Sequence, residues 1–155
     1  MTAYRLLLCA GIALALLALV LRLEQHVAHP FVADPVRTPG VLNPDVSQAT
    51  LAATICKHGW TRTIRPPTTY TDALKRRQLR EYGLARPLSG YQEDHLISLE
   101  LGGHPTDPRN LWPEPYPRAA RVDTIENELN ARVCGGALSL DAAQRKESEI
   151  KHSEG

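Results

Sequence analysis

One uninterrupted apolar run, Leu6 to Leu21 between Arg5 and Arg22, opens the chain, and nothing like it recurs. Beyond it the hydrophobic positions become periodic. Asn43-Pro44 offers a cap and a first-turn proline, and Leu51, Ile55 and neighbouring alanines predict a short helix ending near Cys56. Trp60 to Arg65 alternates large and polar residues and stops at Pro66-Pro67, which predicts a short strand. Thr71 then predicts the cap of a helix from Asp72 to Tyr82, ended by Gly83. Tyr91 to Leu96 reads as extended, Gly102-Gly103 and Pro105 to Pro108 shape a return, and Asn110-Leu111-Trp112 resumes an extended course. A helix from Pro117 to Val133 carries Val122, Ile125, Leu129 and Val133 on one face and Asp123, Glu126, Asn127 and Asn130 on another. A last helix, Leu140 to Ile150, is capped by Ser139. Strands and helices in this order predict an α+β domain.

At 155 residues the chain holds one domain with a real core and hardly two. Residues 1–25 read as a signal peptide or membrane anchor, 26–42 as a Pro-rich tether and 43–152 as the folded domain. The residues two positions before Ala28 and Ala33, His26 and Phe31, are not small, so cleavage and anchoring both remain open. Either way the chain is exported, to a periplasmic or extracellular setting, released or held at the cytoplasmic membrane. With Cys9 inside the apolar run, Cys56 and Cys134 are left as one possible disulfide, and the absence of any Cys-x-x-Cys disfavours structural zinc.

A net charge of +1 conceals a gradient. Between Lys57 and Arg86 the eight basic residues Lys57, Arg62, Arg65, Lys75, Arg76, Arg77, Arg80 and Arg86 face only Asp72 and Glu81. From Glu93 to Glu128 the balance reverses towards carboxylates. The basic arm suits a polyanion, with Lys75, Arg76 and Arg80 as contacts, and the acidic centre suits a divalent cation.

The chemistry concentrates in Tyr91-Gln92-Glu93-Asp94-His95 and the return that closes on Asp107-Pro108-Arg109-Asn110-Leu111. A carboxylate beside an imidazole, with an amide brought back towards both, supplies a ligand for a hard cation, a base for water and a group to hold the base. His58 and His104 read as structural histidines. The run Asp94-His95-Leu96-Ile97-Ser98-Leu99, the pair Gly102-Gly103 and the return Asp107 to Leu111 together resemble the HNH nucleases, with their ββα-metal core. Exported bacterial HNH-like proteins are similar over a longer stretch, through Thr38-Pro39-Gly40, Thr54-Ile55-Cys56, Arg65-Pro66-Pro67 and Asp107 to Pro113. Ser98 stands where the family run has proline, and the helix lacks the histidine ligand that many members carry.

The resemblance implies a metal-dependent endonuclease acting on nucleic acid, DNA ahead of RNA, with little sequence preference. His95 would be the general base, Asn110 would fix the loop and the imidazole, and Asp94 would bind one Mg2+ or Mn2+ ion. Glu126 or Asn127 would be the second ligand, and Arg109 or Arg121 would clamp the phosphate. The alternative is a nucleic-acid-binding module on the same fold without catalysis. The oligomeric state is left open.

Overall fold

The structure, a computed structural model, describes residues 32–84 and 87–153. It is of mixed α+β type. Two antiparallel strands, β1 (Tyr91–His95) and β2 (Leu111–Pro115), pair in a register running from Tyr91 opposite Pro115 to His95 opposite Leu111. Four α-helices accompany them among the described residues: α1 (Trp60–Ile64), α2 (Thr68–Glu81), α3 (Arg118–Cys134) and α4 (Leu140–Ser153).

The return between the strands is held by its own backbone and by two short 3₁₀ turns, Leu99–Leu101 and Pro108–Asn110. Gly103 is required there by close approach. A β-carbon on it would lie 1.7 Å from the Ile97 carbonyl oxygen and 2.6 Å from Asn110 Nδ2. Gly102 is required by conformation, with φ at +80° against the side chain of Val46.

The main core joins this return to the helices. Ile97 and Leu101 pack with Ile55, Leu129 and Val133 of α3, and Leu140 and Ala143 of α4, with Trp60 and Ile125 at the margin. Each fully buried aliphatic side chain of this kind contributes about 1.5–3 kcal/mol. A second cluster of Ala33, Tyr82, Leu96 and Trp112 closes the other end. Cys56 and Cys134 form a disulfide with a Cα separation of 5.5 Å, tying the segment before α1 to the end of α3. Such a bond is compatible with an oxidising, exported environment.

Three expectations about local structure are corrected. Trp60 to Arg65 is not a strand: Trp60–Ile64 is one turn of helix, closed by Arg65 N–H donating to the Thr61 carbonyl oxygen at 3.0 Å. Its alternation also fits i,i+4 spacing, which lets Trp60 reach the core, and the proline pair ends the turn just as it would end a strand. The helix expected between Asn43 and Cys56 is mostly turns, with a 3₁₀ piece at Leu51–Ala53. Here Asn43 and Thr50 side chains accept from the Asp45 and Ser47 backbone N–H groups and compete with helix formation. Helix α2 begins at Thr68, directly after Pro67, so Thr71 lies within it rather than before it.

The packed body also begins upstream of Asn43. Val32, Ala33 and Thr38 are buried, Ala33 N–H donates to the Lys151 carbonyl at 2.9 Å, Gly40 N–H donates to the Arg109 carbonyl, and Leu42 bridges to Gly103. Residues 32–42, expected as a tether, therefore strap across the domain. The apolar run Leu6 to Leu21 lies outside the described residues, among which no helix is long and apolar enough to cross a membrane.

Candidate metal centre

Strand β1 and helix α3 converge on one acidic point. Asp94 comes from the strand, and Asp123 and Glu126, three apart on one helix face, come from α3. One ligand oxygen from each lies within 4.8 Å of the others. These side chains line a cleft of about 60 Å³ together with Arg65, Gln92, His95, Ser98, Leu99 and Glu100.

A lysine from α4 enters the same cluster. Lys151 Nζ is wholly buried, donating to Asp94 Oδ2 at 2.7 Å, to Glu126 Oε1 at 2.5 Å and to the His95 carbonyl oxygen. Glu147 Oε1 stands 3.4 Å from the same nitrogen, and the Glu147 carboxylate accepts from Ser98 N–H at 3.0 Å through each oxygen. Ser98 has φ −60° and ψ 156°, a backbone a proline would adopt, but a proline could not make this hydrogen bond.

The charges perturb one another strongly. Burial pushes Asp94 up, but the Lys151 charge and hydrogen bonds from Glu114 and Lys151 outweigh it and hold the group at about 2. Burial and the charge of Asp94 push Glu114 up to about 8, although Arg118 also donates to Glu114 Oε1. Two carboxyls hydrogen-bond only when one is protonated. Lys151 keeps Asp94 ionised and Glu114 takes the proton; Glu114 Oε2 is buried without a hydrogen-bond partner. Burial likewise raises Glu126, Glu147 and Asp123 above the usual carboxylate range, with neighbouring carboxylates adding to it. Lys151 is raised in turn: burial opposes its charge, but Asp94, Glu126 and Glu147 prevail.

His95 lies beside this cluster and is 5% exposed. Its Nε2 lies 3.0 Å from the Pro105 carbonyl oxygen, so Nε2 carries the hydrogen and Nδ1 keeps the lone pair. Burial lowers its pKa against the pull of Asp94, leaving a neutral imidazole at physiological pH. Asn110 is 0% exposed and holds the return rather than the ring. Its Oδ1 accepts from Ile97 N–H, and its Nδ2 donates to the carbonyls of Ile97 and His104, each at 3.0 Å. The imidazole is thus fixed at one remove, through Pro105, which follows the clamped His104.

Of the residues expected at the site, Asp94, His95 and Glu126 meet at the cleft. Asn127 does not: it is exposed and its Nδ2 donates to the Asp123 carbonyl of its own helix at 2.7 Å. Arg109, Arg121, Lys75, Arg76 and Arg80 do not line the cleft either. Arg109 is spent on a two-pronged pair with Asp107, at 3.0 and 2.7 Å, and Lys75 Nζ donates to the Tyr91 carbonyl at 3.1 Å. Arg76, Arg80 and Arg121 are exposed. His104, expected to be structural, accepts the backbone N–H groups of Thr106 and Asp107 on Nδ1.

Lys151, Glu147, Glu114 and Arg65 are parts of the site that the sequence pattern does not mark. Lys151 in the last turn of a helix resembles an ordinary surface residue that complements the helix dipole, and only the Glu147 four positions earlier hints otherwise. In the sequence Arg65 is one charge in a basic arm, whereas the end of α1 sets it at the cleft.

The donor set fits a hard divalent cation. Its oxygens come from Asp94, Asp123 and Glu126, with Glu147 just behind, and a single lysine cannot neutralise them all. Set against known proteins, the chain matches no family profile, no curated protein and no solved structure.

Proposed function

We propose that this chain is an exported, metal-dependent endonuclease of HNH type that hydrolyses nucleic-acid phosphodiester bonds. The observation that carries the reading is the meeting of Asp94, Asp123 and Glu126 with a neutral, singly oriented His95 in one cleft. The sequence resemblance adds weight, because β1, the return, β2 and α3 follow the ββα order it implies.

A Mg2+ or Mn2+ ion held by Asp94, Asp123 and Glu126 would supply positive charge for a phosphate oxygen and the leaving 3′ oxygen. His95 Nδ1 accepts the proton of the attacking water, while its Nε2–H stays on the Pro105 carbonyl and resists ring rotation. Asn110 holds the loop that presents that carbonyl. Arg65, at the cleft, offers a phosphate a contact that carries no base information, in keeping with low sequence preference.

The second reading, a nucleic-acid-binding module without catalysis, is favoured by one observation: Lys151 already engages Asp94 and Glu126. Supercoiled plasmid distinguishes the two. Nicking with Mg2+ or Mn2+ that is lost with chelator and in His95→Ala supports the nuclease. Intact plasmid that is nevertheless retarded in a gel under every metal supports the binding module.

A further inference from the structure

Lys151 has no place in the sequence resemblance, yet its ammonium is wholly buried. An ammonium has three hydrogens, and Asp94 Oδ2, Glu126 Oε1 and the His95 carbonyl oxygen take one each. Glu147 stands behind as a fourth, purely electrostatic neighbour, fixed by Ser98 N–H. The lysine therefore holds one oxygen each from two of the three candidate metal ligands, and Asp123 is the member of that set it does not contact.

We infer that Lys151 is the positioning residue of the metal centre, a built-in cation that gathers Asp94 and Glu126 before a divalent ion arrives and then competes with that ion for their charge. The inference rests on the metal-dependent reading above and deepens it. Ser98 is part of the same device: an N–H at that position secures Glu147, and Glu147 flanks Lys151. The consequence is a centre that stays folded without metal and binds it only moderately. A positive charge held by the same carboxylates repels a divalent ion, so even partial relief of that repulsion is measurable as tighter binding.

The test is Mn2+ calorimetry on the full chain, native and Lys151→Met, with Asp123→Asn as the site control. Lys151→Met is expected to bind Mn2+ at least about tenfold more tightly, and its melting temperature should depend on Mn2+ far more steeply than that of the native chain. Native binding that Asp123→Asn abolishes but Lys151→Met leaves unchanged or weakens overturns the competition by Lys151 and spares the metal centre. Binding gained only in Lys151→Met supports the competing cation and removes the metal reading for the native chain. No binding in either chain overturns both. Should Lys151→Met fail to fold, the native protein answers directly by ¹⁵N NMR of the lysine ammonium groups. The slowly exchanging Lys151 signal is expected to shift on Mg2+ titration with the calorimetric midpoint, and a signal that stays put overturns the proposal.

Discussion

Asn110 grips Ile97 by both of its backbone groups, Oδ1 accepting the N–H and Nδ2 donating to the carbonyl oxygen, each at 3.0 Å. One buried amide thereby does for the return what a third strand would do. Asn110→Ala strands both Ile97 groups and the His104 carbonyl away from water, so a loss of about 3 kcal/mol in unfolding free energy is expected by urea titration. Cleavage should fall further than stability explains, because Pro105 would no longer hold His95.

Stability should decline from neutral towards alkaline pH. Both carboxylate oxygens of the half-buried Glu93 are shut off from water and Glu114 is wholly buried; burial pushes them up to about 9 and about 8 respectively. A carboxyl whose folded pKa is raised contributes stability that is complete below its unfolded value near 4.5 and is lost as pH rises through the folded value. Asp94, lowered to about 2, acts oppositely and only in strong acid. Denaturation in the presence of chelator at pH 6.5, 7.5 and 8.5 should show the fall, and Glu93→Gln should flatten it. An equal slope in that variant would remove Glu93 as a source.

The Cys56–Cys134 bond closes a loop of 78 residues. Chain-entropy reasoning assigns it about 4 kcal/mol, so a reductant should lower the urea midpoint by a corresponding amount. Cys134 is exposed, which gives the reductant access. A midpoint unaffected by complete reduction would contradict this account.

Arg65 and Arg80 should separate in kinetics. Arg65 lines the cleft and Arg80 sits on α2, its Nη1 donating to the Arg76 carbonyl at 2.7 Å. Arg65→Ala should lower kcat/KM roughly 10–100-fold with little change in melting temperature, while Arg80→Ala should change it by less than about threefold. Equal losses would place the phosphate on the basic helix instead.

The helix ligands can be told apart in the same way. Asp123→Asn should abolish the rise in melting temperature produced by Mn2+, whereas Asn127→Ala should leave it intact, since the Asn127 amide is turned to its own helix. Loss in both would return Asn127 to the site.

The sequence by itself determined the local chemistry. Asp94 and His95 are neighbours on a strand, and Asp123 and Glu126 share a helix face by spacing alone. Gly102-Gly103 and Asn110 mark the tight return, because a glycine pair and a buried amide are what such backbone geometry demands. Cys56 and Cys134 were the one pair left once Cys9 was set within the apolar run. Period-two alternation over six residues could not separate strand from helix at Trp60 to Arg65, since Trp60 and Ile64 also suit one helical turn. Only the tertiary structure decided which carboxylate of α3 would accompany Glu126, that Arg65 rather than Arg109 reaches the cleft, and that Lys151 lies at the centre. The reason is physical: a long-range ion pair such as Lys151 with Asp94 spans 57 residues and leaves no periodic trace. A buried lysine is indistinguishable by sequence from a solvated one until the elements that bury it have packed.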